Sequence, residues 1–156
     1  MNAVGVISFK KLLIEDLTPA AGSLTTQAIA SVQAFFAEAN HHPSPDMVLA
    51  LTEAARVMEA MANGDCDPAI YLSSLDPGVG KTRTIIHFIQ SLLASSDHQD
   101  VGVLVCVSRL QEIGSLVGAM GLVRDQFGVL TSDAGLNRLG VSPTSARVLF
   151  TTHAMV

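Results

Sequence analysis

The stretch Ser73-Ser74-Leu75-Asp76-Pro77-Gly78-Val79-Gly80-Lys81-Thr82 constrains this chain more than any other. Pro77, Gly78 and Gly80 enforce a turn, and apolar residues at helical spacing begin directly after it. Ahead of the turn stands a short apolar run, Ala69-Ile70-Tyr71-Leu72, which reads as a strand. A glycine-rich turn between a strand and a helix is the setting in which main-chain N–H groups curl around an anion. The positive end of the helix dipole points to the same place, Lys81 adds an ammonium, and the Thr82 hydroxyl is suited to ligate Mg²⁺. Pro77, Gly78, Val79, Gly80, Lys81 and Thr82 therefore form the candidate phosphate-binding set, with Thr82 as the candidate metal ligand. The usual pattern, G-x-x-x-x-G-K-[ST], has a glycine where this chain has Leu75. A dinucleotide fingerprint fits less well, because Gly78-x-Gly80 lacks the third glycine and is followed by a lysine.

A length of 156 residues suits one domain with a core plus an accessory segment. Hydrophobic residues at 49% against charged residues at 15% exclude disorder over most of the chain. The apolar strand-like run Val103-Leu104-Val105-Cys106-Val107 is far too short to cross a bilayer. Lys10 and Lys11 follow the apolar opening instead of preceding it, unlike a secretion signal. A cytoplasmic location and no membrane partner are expected. Cys66 and Cys106 have no metal-ligand spacing and read as reduced thiols. The net charge of −5 and the scattered basic residues leave no electrostatic footprint for stand-alone nucleic-acid binding, so any polynucleotide contact would be local.

In chain order, residues 1–17 fit either a strand followed by a helical turn or a loosely attached arm. With Ser23 or Thr25 as N-cap, Ile29, Val32 and Phe36 fall at i, i+3 and i+7, which predicts a packing helix ending near Asn40. His41-His42-Pro43-Ser44-Pro45 breaks it. The paired histidines read as an exposed turn, since no carboxylate or cysteine stands at ligand spacing. Ser44 caps a second helix with Pro45 at its first position, and Met47, Val48, Leu51, Ala55, Met58 and Ala62 stripe it as far as Asn63-Gly64. This pair, residues 1–64, is read as a helical accessory segment that offers no chemistry of its own.

After Thr82, Ile85, Ile86, Ile89, Leu92 and Leu93 predict one buried helix face, with His87 on a solvated one. Residues 101–107 read as a fully buried parallel strand, Leu110, Ile113, Val117 and Met120 as a helix, 127–130 as a strand and 147–152 as another. Alternating strands and helices behind a phosphate loop mean an α/β fold with a parallel sheet and a ligand at the carboxyl ends of its strands.

Val103-Leu104-Val105-Cys106-Val107-Ser108-Arg109-Leu110-Gln111 resembles the strand-to-loop motif that follows the first helix in superfamily 1 and 2 helicase-like ATPases. Arg147-Val148-Leu149-Phe150-Thr151-Thr152-His153-Ala154-Met155 is similar to their later strand ending in a Thr-Thr-His turn. Together with the loop, this resemblance covers about residues 67–156. It implies a partial RecA-like P-loop NTPase domain over 65–156, preceded by the helical segment. It also implies ATP and Mg²⁺ held by Gly78, Gly80, Lys81 and Thr82, and contacts of Ser108, Arg109, Thr151, Thr152 and His153 with the backbone of single-stranded DNA or RNA. ATP hydrolysis coupled to movement along nucleic acid would be the activity of the complete machine.

Hydrolysis needs an acidic pair at a strand end, one carboxylate for Mg²⁺ and one to orient water, and no apolar strand here ends in Asp-Glu. Asp133 precedes the Thr-Thr-His strand, out of the order the resemblance requires. The chain therefore reads as the amino-terminal part of a longer ATPase, able to bind nucleotide but poor at turnover, with catalytic residues unassigned and an open sheet edge that invites self-association. Two other readings stand beside it: another phosphate-loop enzyme, such as a terminase-type motor or small-molecule kinase, and a non-catalytic nucleotide-binding protein that serves a partner.

Overall fold

Four α-helices and three strands, with three short 3-10 turns between and after them, order the described residues of this computed structural model, which are 22–67, 69–73 and 75–155. In order the α-helices and strands are α1 (Leu24–Glu38), α2 (Pro45–Asn63), α3 (Lys81–Ala94), β1 (Val103–Val107), α4 (Leu110–Met120), β2 (Phe127–Leu130) and β3 (Val148–Thr152). The alternatives weighed for residues 1–17 lie outside the described residues. Among the described residues, no helix is long and apolar enough to cross a membrane.

The helix starts follow their caps. Ser23 Oγ accepts from the Thr26 amide at 3.1 Å to open α1. Ser44 Oγ accepts from the Met47 amide at 3.2 Å to open α2, with Pro45 inside the first turn and Asp46 beside the positive helix end. Glu59 on α2 reaches the amino terminus of α1, where its two carboxylate oxygens accept from the amides of Leu24 at 2.7 Å and Thr25 at 3.3 Å. A carboxylate on otherwise orphaned first-turn amides fixes how the two helices meet.

The sheet is entirely parallel, in the order β1-β3-β2, with Val103 opposite Val148 and Val107 opposite Thr152 on one side of β3. One sheet face, carrying Val107, Phe127, Val129, Val148 and Phe150, is packed by Ile86 and Ile89 of α3 and by Ile113 and Met120 of α4. The Phe127 and Phe150 rings meet edge to face at 6.2 Å. On its other side α3 buries Phe88 and Leu92 against Leu24 and Ala28 of α1. The layers are thus sheet, then α3 and α4, then α1 with α2.

Three expectations need correction. Residues 69–72 are not a strand: Ile70 is 78% and Leu72 72% exposed, and the run pairs with no strand of the sheet. Tyr71 instead turns back on its own segment, its hydroxyl donating to the Asp67 carbonyl at 3.2 Å. The strand at 103–107 is not fully buried, because it lies at the sheet edge with Leu104 55% exposed. On α3, Ile85 is 40% exposed while Phe88 is buried, because α1 covers a face that the isoleucine-leucine stripe alone does not reveal.

Removing the central ring should be far costlier than trimming the edge. Phe150→Ala is expected to lose about 3–5 kcal/mol of unfolding free energy. Leu104→Ala should change it by no more than about 0.5 kcal/mol. Urea unfolding followed by circular dichroism distinguishes the two.

Candidate functional site

Two residues of the loop hold backbone that only glycine adopts readily: Gly78 has φ 86° and Gly80 φ 100°. At Gly80 a second constraint applies, because a Cβ there would fall 2.6 Å from Phe36 Cζ and 3.5 Å from Leu51 Cδ1. Helix α3 starts at Lys81 with Gly80 as its N-cap and no side chain capping it. Its first-turn amides are consequently left without a capping side-chain acceptor at the positive end of the helix. Thr84 secures the first turn from within, its amide and hydroxyl donating to the Gly80 carbonyl at 2.9 Å and 3.2 Å.

The Lys81 ammonium folds back across the loop and donates to the Leu75 carbonyl and, at 2.9 Å, to the Asp76 carbonyl. These bonds close residues 75–81 into a ring. Asp76, Pro77 and Gly78 are exposed, Val79, Gly80 and Lys81 half-buried, and Thr82 exposed. Leu75, standing where the usual pattern has glycine, packs against the α1–α2 cluster of Ile29, Val32, Phe36, Leu51 and Ala55.

The rest of α3 near the loop is less solvated than its sequence suggests. Arg83 lays its guanidinium 4.0 Å from the Phe35 ring centre, a cation–π contact of about 0.5–1 kcal/mol at an accessible site. His87, expected on a solvated face, is half-buried, and its ring lies 6.5 Å from that of Phe35. Its Nδ1 is 2.9 Å from Gln90 Oε1, which can only accept, so this pairing assigns the proton to Nδ1. Gln90 in turn donates to the Met120 carbonyl at 3.0 Å and ties α3 to the end of α4. Ahead of the loop, a hydrogen bond with the Cys66 side chain, followed by desolvation and nearby charge, raises the Tyr71 phenol above its ordinary value.

Parallel pairing brings the two predicted polynucleotide-contact stretches to the carboxyl ends of adjacent strands. Ser108 and Arg109 follow Val107, which is in register with Thr152, and His153 comes next after β3. Ser108, Arg109 and His153 are exposed and Thr152 is half-buried. Thr151 differs: it is 3% exposed, and its hydroxyl donates to the Leu130 carbonyl at 2.8 Å, so it fastens β3 to β2. Between the carboxyl end of β1, α4 and the start of α3 lies an open cleft of about 540 Å³, lined by residues that include Thr82, Ile85, Val107, Ser108, Arg109 and Glu112 but by neither Thr152 nor His153. The candidate metal ligand at the start of α3 therefore faces the same space as Ser108 and Arg109.

Sequence reasoning passed over Glu112, although a glutamate in the first turn after a strand end is a recognisable start signal. Its Oε2 accepts from the Ser108 amide at 3.2 Å and the Arg109 amide at 3.3 Å, and this fixes the turn from β1 into α4. Phe36 and Leu75 were also missed as neighbours of the loop, and only their helical spacing and the departure from the motif set them apart. His41 and His42 are exposed, with the His41 ring edge-on to Phe36 at 5.1 Å. Among the described residues, no group of three or more histidine, cysteine, aspartate or glutamate side chains is placed to hold a metal ion. Comparison with known families, curated proteins and solved structures gives no match.

The contrast between the adjacent threonines is directly testable. Thr151→Val should cost about 1–2 kcal/mol in urea unfolding, because the Leu130 carbonyl loses its donor inside the sheet. Thr152→Val should stay within about 0.5 kcal/mol.

Proposed function

We propose that residues 75–82 seat the phosphates of a nucleoside triphosphate, ATP with Mg²⁺, and that the chain is a nucleotide-binding protein of RecA-like, helicase-like design. The observation that carries this reading is the convergence at one point of an uncapped α3 amino terminus, two left-handed glycines and the Lys81 ammonium. A loop shaped only for a turn has no need to leave a helix end uncapped beneath a cation.

The residues present fit a phosphate group. An ammonium carries three donors, and the two bonds to Leu75 and Asp76 leave Lys81 one more to offer. Gly78 and Gly80 bring backbone rather than side chains to the approaching oxygens, and the exposed Thr82 hydroxyl is the Mg²⁺ ligand of this reading. The metal, when bound, would neutralise charge on the phosphate oxygens. In the helicase-like form of the proposal, Ser108, Arg109, Thr152 and His153 touch the sugar-phosphate backbone of a single strand at the carboxyl ends of β1 and β3. Such contacts position a polynucleotide without reading its sequence.

A second reading, nucleotide binding without turnover, is favoured by one observation. Glu112 is the one carboxylate lining the cleft among the described residues, and its Oε2 accepts from the Ser108 and Arg109 amides. A pair of carboxylates, one to hold the metal and one to orient water, is therefore not found in the lining of that cleft among the described residues.

Calorimetric titration with Mg-ATP should give saturable binding by the wild type, weakened about tenfold or more by Lys81→Ala. Equal affinity of the two proteins removes Lys81 from the site. A single-stranded oligonucleotide added to the same titration should tighten nucleotide binding in the helicase-like form. If it has no effect and phosphate release stays at background, binding without turnover is the form that survives.

A further inference from the structure

We infer that the α1–α2 layer belongs to the phosphate site, with Phe36 and Leu75 as positioning residues that hold the two ends of the loop in its anion-ready shape. This inference rests on the phosphate reading proposed above and assigns a role to a helical pair whose sequence suggested packing alone.

A phosphate loop needs a rigid entry, and a strand held in the sheet would provide one. Here residues 69–72 pair with no strand of the sheet, and Ile70 and Leu72 face solvent. The entry must be fixed by something else. Leu75 is half-buried, its side chain drawn into the cluster of Ile29, Val32, Phe36, Leu51 and Ala55. The departure from the motif is thus an anchor: a glycine at 75 would have no side chain to bury.

The exit of the loop rests on the same cluster. Phe36, 7% exposed, sets its ring tip against Gly80 so closely that not even a methyl group fits between them, and Leu51, 1% exposed, lies just beyond. Gly80 is the N-cap of α3, so its position sets the aim of the first-turn amides. Moving the Phe36 ring moves the donors themselves, and displacements of about 1 Å are enough to degrade a preorganised site. Between these two supports Lys81 joins the ends by bonding to the Leu75 and Asp76 carbonyls. An anion that requires this shape must, by reciprocity, stabilise the contacts of Phe36 and Leu75.

The decisive variant is Leu75→Gly, which restores the usual motif. If glycine at 75 were the better phosphate residue, binding would improve. On the present inference, Leu75→Gly should weaken Mg-ATP and Mg-tripolyphosphate affinity about tenfold, whereas Leu75→Met stays within about twofold of wild type. Phe36→Tyr, which adds a hydroxyl to the atom nearest Gly80, should weaken binding comparably while the far-ultraviolet circular dichroism is unchanged. Hydrogen exchange on the wild type provides a measurement independent of any variant. Mg-ATP should slow exchange at residues 75–82 and in the turn of α1 that bears Phe36 together. Undiminished affinity of Leu75→Gly, or protection confined to the loop, overturns the inference and leaves the phosphate reading standing. A wild type that binds neither ligand removes both.

Discussion

Burial of α3 on two faces is the interaction on which the rest of the molecule depends. Ile86 and Ile89 pack against the sheet while Phe88 and Leu92 pack against α1, so the helix has little freedom to rotate or slide. Each such side chain contributes on the order of 1.5–3 kcal/mol when removed from water, and contacts on two different faces hold the helix more firmly than contacts on one. The consequence is felt at the helix end. The loop inherits its direction from a helix that is held in place, and the uncapped amides of its first turn therefore point where the packing dictates.

The same layering explains why one small region collects so much polar structure. A parallel sheet puts the carboxyl ends of its strands on a common side, and β1 and β3 deliver Ser108, Arg109, Thr152 and His153 there. Helix α3 runs across the face of that sheet and presents Thr82 to the cleft that Ser108 and Arg109 line. Glu112 and Thr151 use their polar atoms to keep that side in order, the first by holding the β1–α4 turn and the second by tying β3 to β2. Between them they show how polar residues of similar type divide: those satisfied by backbone build that side, and those left exposed are available to a ligand.

Most elements were legible because their signals are local. Ser23 and Ser44 announced their helices through hydroxyls that accept from amides three residues on, a bond that needs no other part of the chain. The β-branched run of β1 and the Thr-Thr ending of β3 were equally plain. The misreadings share one cause. Ala69-Ile70-Tyr71-Leu72 has a strand's composition but finds no strand to pair with, and composition cannot supply one. Ile85 came out more exposed and His87 more buried than their spacing implied, and Phe88 is buried, because α1 covers a second side of α3, a contact between residues far apart in sequence.

The amino-acid sequence by itself determined where most of the helices and strands of this chain form and that it bends sharply at Gly78 and Gly80 before a helix opening with Lys81, because capping, spacing and left-handed glycine are properties of neighbouring residues. Only the tertiary structure decided that Leu75 is an anchor, that Phe36 presses on Gly80, and that Thr82 shares a cleft with Ser108 and Arg109. Those relations come from burying surfaces that are remote along the chain, and hydrophobic burial carries no label of sequence distance.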